Sequence, residues 1–128
     1  AKLKLMAFAS ERVTYKPGQV LFKQGESGDA AFIVLKGTAD VLINANNGPL
    51  RVASLAENEI IGEIAILCDI PRTATVEAAT ELTTLKITAD LFFRMIMDFP
   101  EMGVEVMRVL AHRLEQTTAQ LREVQAAR

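Results

Sequence analysis

One cysteine, one histidine, one tyrosine and no tryptophan are spread over 128 residues. A lone thiol, Cys68, can close no internal disulfide and hold no iron–sulfur cluster, so a reducing compartment, the cytoplasm, is expected. A lone imidazole, His112, lacks the companions a metal needs, which leaves metal cofactors out and disfavours a metalloenzyme. Cys68 has no histidine nearby to activate it and reads as a packed thiol, and His112 as a surface residue of a helix. Charge of one sign is also scarce. Fourteen Lys and Arg face sixteen Asp and Glu, a net charge of -2 with no basic stripe, so neither nucleic acid nor an anionic membrane is an expected partner. The longest apolar run, Ala30 to Leu35, and shorter ones such as Leu91 to Phe93 fall far short of the ~20 residues of a membrane span. No "GK[ST]" follows the glycines, which excludes a nucleoside triphosphate loop. Nothing is arranged for catalysis, and the chain is not expected to be an enzyme. There is no initiator methionine, and "AKLKLMAFASERV" reads as the last turns of a helix, so the chain is expected to be part of something longer.

Half the residues are apolar and under a quarter are charged, the balance of a globular chain with one domain and one core. Between residues 11 and 87 short β-type segments follow one another: "RVTY", "QVLF", "AAFIVLK", "TADVLIN", "LRVASL", "TATVEAA" and "LTTLKI". Alternation is plain over Thr38 to Asn44, with Leu42 the one misfit. "KPGQ", "QGESGDA", "KGT" and "NANNGP" supply the turns. After Ile87 the period changes. Thr88 can cap a helix running to about Met97, and Pro100 suits the first turn of a second one. The expected fold is α+β, mainly β: an antiparallel roll over 11–87, a helix end over 1–10 and C-terminal helices over 88–128. In the first of these helices "LFFRMIM" reads as core, with Met95, Met97 and the phenylalanines wedged against the roll.

"IIGEIAILCDIPRTATVEA", residues 60–78, sets Glu63 and Arg72 among apolar and small residues. Gly62 precedes Glu63 where strand periodicity breaks, and "EIAIL" can form one helical turn. Arg72 follows at the corner where the chain returns to strand. A guanidinium takes a phosphate through two parallel bonds, whereas an ionised carboxylate only accepts and therefore suits a sugar hydroxyl. A cyclic 3′,5′ monophosphate carries both groups on adjacent atoms. The competing reading is that Glu63 and Arg72 simply pair, but such a pair is often no more stable than packed apolar residues.

"GEIAIL" followed by "PRTATV" resembles the phosphate-binding cassette of the cyclic nucleotide-binding domains, the family of the catabolite activator and of cyclic-nucleotide-dependent kinases and channels. "YKPGQVLFKQGESGDAAFIVLKGTADVLI" is similar to that family's opening strands, with Gly18, Gly25, Gly28 and Gly37 at its turns. The resemblance implies a jelly-roll-like β-roll that binds cAMP or cGMP. It implies that Glu63 accepts from the 2′ hydroxyl, Arg72 takes the phosphate and Thr73 reaches a phosphate oxygen or the base. Gly62, Ile64, Ala65 and Ala74 would add backbone or close packing. Two positions depart from the pattern: Asn58 replaces a glycine, tolerable because Asn accepts a left-handed backbone, and Ile61 replaces a phenylalanine, which touches local packing only.

In the last helix Met107, Leu110, Leu114, Thr117, Leu121 and Val124 alternate spacings of three and four, the seam of a two-stranded coil and hence of a homodimer. The alternative is packing against the protein's own roll. "AHRLEQTTAQL" resembles the activator's corresponding helix, which implies that Thr117 and Thr118 meet the adenine and that this helix moves on binding. Those threonines favour cAMP, while Thr73, placed as in the cGMP-dependent kinases, leaves cGMP open; cAMP is the expected ligand. Two other readings compete: a ligand-free interaction module of the same fold, and the sensory part of a transcription factor.

Overall fold

The computed structural model of the chain describes residues 10–126. The helix end expected over residues 1–10 lies, apart from Ser10, outside the described residues. Eight strands appear: β1 (Glu11–Tyr15), β2 (Val20–Phe22), β3 (Ala30–Lys36), β4 (Ala39–Ala45), β5 (Gly48–Leu55), β6 (Ile60–Ile61), β7 (Thr75–Ala78) and β8 (Leu82–Thr88). Among the described residues three helices accompany them, α1 (Glu63–Cys68), α2 (Ala89–Asp98) and α3 (Pro100–Ala126). The strands form two four-stranded sheets, β1-β8-β3-β6 and β2-β7-β4-β5, every pairing antiparallel. This is the α+β, mainly β roll that the alternation implies.

The core lies between the sheets and draws on both: Phe32, Ile61 and Leu82 from one, Ala39, Leu55, Val76 and Ala78 from the other. Val34 and Leu82 are wholly buried, and each buried aliphatic side chain of this size stabilises the fold by roughly 1.5–3 kcal/mol. Where β4 crosses β7, Ala39 faces Ala78, two small residues where larger ones would hold the strands' side chains apart. The buried hydroxyl of Thr84 donates to the Val13 carbonyl at 3.3 Å, so its burial leaves no unmet donor.

Several details differ from expectation. β6, only two residues long, shows no period of its own; it exists because Ile61 and Ile60 pair with Phe32 and Ile33. Leu42 sits on the face opposite Val41, half-buried between Arg51 and Thr75 of the neighbouring strands. Cys68 is exposed rather than packed, because α1 turns only Glu63, Ala65 and Ile66 inward. Asn58 does adopt a left-handed backbone, φ 70°, and Ile61 fills the core at its position.

The chain divides into two compact units, one ending at Phe92 and one beginning at Phe93. In the first unit Thr88 caps α2, its hydroxyl accepting from the Leu91 N–H at 3.3 Å, and Phe92 is buried. In the second, Phe99 joins α2 to α3: its N–H donates to Met95, and its carbonyl accepts from Met102, both at 2.9 Å. Met95 is buried, but Met97 and Phe93 are exposed, so "LFFRMIM" is core on one face only. The reason is helical geometry: a single helix buries one stripe, and Phe92, Phe93, Met95 and Met97 are spread around too much of its circumference to share it. No helix among the described residues is long and apolar enough to cross a membrane.

Candidate functional site

Gly62, just before α1, is left-handed at φ +85°. A side chain there would be strained whatever the space, and the space is taken: an added Cβ would meet Arg72 Nη1 and, at 3.3 Å, the Phe22 ring. Gly28, in the β2–β3 loop, is needed for proximity instead. Its added Cβ would come within 2.6 Å of Ala65 Cβ and 3.1 Å of Arg72 Nε and Cζ. Two glycines thus admit one guanidinium to the space between the loop and α1.

Main-chain bonds hold that loop to the Arg72 corner. Gly25 N–H donates to the Arg72 carbonyl at 2.8 Å, and Arg72 N–H donates to the Glu26 carbonyl at 2.7 Å. Beside them the Gln24 N–H donates to the Thr75 hydroxyl at 2.9 Å. Arg72 as a whole is 5% exposed. Its Nη1 donates to the Gly62 carbonyl at 2.9 Å and its Nη2 to the Ala30 carbonyl at 2.7 Å, and its Cζ lies 4.0 Å from the centroid of the Phe22 ring. Nε is buried with no hydrogen-bond partner. Burial pushes the Arg72 pKa down from its ordinary value, while the fields of Asp29, Glu26 and Glu63 pull it back up. The group stays a cation at any ordinary pH. Both Nη bonds end on neutral oxygens, so the arrangement is a desolvated positive charge able to accept an anion in the plane of its N–H groups.

Glu63 opens α1 and is buried, 1% exposed. Ala65, one turn-face further on, and Ala74, two residues past Arg72, are buried beside it in sequence, whereas Ile64 and Thr73 are exposed. Gly62 and Gly28 thus meet Arg72 directly, Ala65 lies against the same loop glycine, and Glu63 is near enough for its charge to act on the guanidinium; Ala74 is buried two residues further along the chain and Thr73 is exposed. Thr117 and Thr118 stand on α3, in the other unit, exposed, their hydroxyls donating to the Arg113 and Leu114 carbonyls at 2.9 Å each. Sequence reasoning missed Phe22, which reads only as an apolar strand residue. It also missed the second use of Gly28 and the Ala30 carbonyl, which no side-chain pattern marks. Among the described residues no group of three or more His, Cys, Asp or Glu is placed to hold a metal.

Comparison with known proteins bears on the family and the fold. The sequence model described as cyclic nucleotide-binding domain matches residues 12–99. Over 91 residues, 70% of the chain, the sequence is 33% identical to a cAMP-dependent protein kinase regulatory subunit of Dictyostelium discoideum, covering 28% of it. Over 108 residues, 84% of the chain, it is 31% identical to lysophospholipase nte1 of Neurospora crassa, of which it spans 7%. The chain thus corresponds to a small part of each of these relatives. The catabolite activator protein of Thermus thermophilus superposes with a TM-score of 0.86 over 96% of this chain and 58% of that one, at 23% identity, a likeness of fold. The chain belongs to the cyclic nucleotide-binding domain family.

Proposed function

We propose that the chain is a cytoplasmic sensor domain that binds a cyclic nucleotide, cAMP in preference to cGMP, and reports it by movement of its C-terminal helix. The observation that carries the reading is Arg72, a cation 5% exposed whose Nη bonds end on two carbonyls and whose Nε has no partner. Leaving one donor of a buried charge unmet is costly, and an anionic oxygen at that edge would relieve it. In this reading Arg72 takes the cyclic phosphate and Glu63 accepts from the 2′ hydroxyl. Gly62, Ala65 and Ala74 keep the wall thin enough for approach, and Ile64 and Thr73 meet the ligand from the surface. Because Nε is covered, an anion reaches it only if the loop bearing Gly28 or the start of α1 gives way. Binding would then be coupled to displacement of the cassette, a population shift whose size is the ligand's preference for the closed form.

Thr117 and Thr118 would close over the base, exchanging their bonds to their own helix for bonds to adenine. Thr73, exposed beside Arg72, is the feature that favours cGMP instead. Met107, Leu114 and Leu121, exposed at 61%, 67% and 60%, form an apolar seam suited to a second copy of the helix, so a homodimer belongs to the proposal. No enzymatic step is assigned to this chain.

Calorimetric titration with both nucleotides tests the reading. Arg72→Ala should cost about 2–5 kcal/mol of affinity with the fold retained. Wild-type protein giving no heat at millimolar cAMP or cGMP overturns the sensor reading in favour of a ligand-free interaction module.

A further inference from the structure

A second feature of the site concerns not the charge but what lies under it. The Phe22 ring faces the Arg72 guanidinium, Cζ standing 4.0 Å from its centroid. The ring is stacked with that of Phe32, with centroids 6.1 Å apart and planes inclined at 30°. Phe32 is itself fixed, 4% exposed and paired with Ile61 and Lys86 on its neighbouring strands. Gly62 leaves room for the guanidinium, since a Cβ there would lie 3.3 Å from Phe22 Cε2. The ring therefore has little freedom to move away from the cation.

A leucine or isoleucine on β2 would fill much of this volume and serve the core as well. What an aliphatic group lacks is the negative face of a π system, which attracts a cation most strongly when water is excluded. All five guanidinium N–H groups lie in its plane and radiate outward from Cζ, and it is Cζ itself that stands over the ring. Ring and oxygen acceptors therefore do not compete: the two carbonyls hold the Nη edge, the ring holds the face, and the Nε side remains for an anion.

We infer that Phe22 is a positioning residue of the anion site: through its ring face it fixes the plane of the Arg72 guanidinium so that the phosphate meets it edge-on. This rests on the cyclic-nucleotide reading above, and it adds a residue that the cassette pattern does not contain. The effect should be of the order of three- to thirty-fold in affinity, the span of cation–π contacts from exposed to desolvated.

Fluorinated phenylalanines placed at position 22 provide the test, because one, two, three and five fluorines drain the ring's face stepwise with little change in size. The expected result is a stepwise fall in the logarithm of affinity for cAMP and for cGMP alike, the pentafluoro ring being about as weak as Phe22→Leu. A flat series, with Phe22→Leu alone weakened, would show that the ring only packs and would overturn the inference. Thermal melting of the same series is measured with Arg72 present and in Arg72→Met. A fluorine-dependent melting temperature that vanishes with Arg72→Met supports the contact, and one equal in both backgrounds overturns it. That second readout needs no ligand, so wild-type protein that binds neither nucleotide would sink the sensor reading while the contact is still decided by melting.

Discussion

In the roll two charged side chains, Glu63 and Arg72, lie at 1% and 5% exposure; on α3 three large apolar ones, Met107, Leu114 and Leu121, lie at 60% or more. Each region thus carries groups on the side of the surface where they cost free energy. In the roll the cost is lowered from within, by two main-chain carbonyls and an aromatic face, and what stays unmet is one donor of a cation. On the helix it is not lowered from within, since threonines and neighbours satisfy only their own backbone. The proposal accordingly gives the two regions different partners: a small anion for the first, an apolar protein surface for the second.

Glycine substitutions should break this symmetry most sharply. Gly62→Ala imposes a left-handed alanine and drives a Cβ into Arg72 Nη1, so a loss of about 2–4 kcal/mol is expected in urea unfolding, with nucleotide binding weakened as well. On α3, Gly103→Ala places its Cβ 3.1 Å from Ile96 Cγ2, a contact with the end of a side chain, inside a helix that favours alanine by about 1 kcal/mol. That variant should stay within about 0.5 kcal/mol of the wild type. Comparable losses at the two glycines would refute the idea that only the roll is built around a close approach.

The seam is tested next. Leu114→Asp, on a residue 67% exposed, should leave each chain folded but weaken self-association by about tenfold or more in sedimentation velocity. Wild-type protein that sediments as a monomer at high concentration would remove the homodimer from the proposal. A smaller effect is expected from Thr117→Val with Thr118→Val, which keeps shape and removes two hydroxyls whose bonds now run to Arg113 and Leu114. Affinity for cAMP should fall by about 1 kcal/mol more than that for cGMP, read by paired titrations. Equal losses would mean that these threonines do not read adenine.

The limits of sequence reading follow the same division. β-type runs bounded by turn residues marked seven of the eight strands, alternation being plain in β4; β6 escaped because two residues cannot show a period. Arg72 and Glu63 were legible because charges in an apolar stretch stand out. Phe22 and Gly28 were not, since an apolar strand residue and a loop glycine each have a sufficient ordinary reason to be there. Their use at Arg72 arises from residues some 45 to 50 positions apart in the chain meeting, which no local pattern encodes. Met97 and Cys68 were misplaced for the opposite reason: composition marked them as interior, and helix geometry turned them outward.

The smallest effect concerns Tyr15, the only tyrosine, at the end of β1 opposite Leu82. Burial first, and then the negative charge of Glu11, raise its pKa above the ordinary 10.0. The unfolded chain would release this proton near the ordinary value while the folded roll retains it. Stability is therefore fully present below pH 10.0 and is lost as pH rises through the raised native value. Because there is no second phenol and no tryptophan, phenolate absorbance reports the roll unit alone. The native titration midpoint should lie above that measured in urea, and Tyr15→Phe should flatten the alkaline fall in the stability read by urea unfolding. If circular dichroism, dominated by α3, followed the same alkaline transition in the wild type and not in Tyr15→Phe, the two units would unfold as one. The contrast between them would then be one of surface chemistry and not of independent stability.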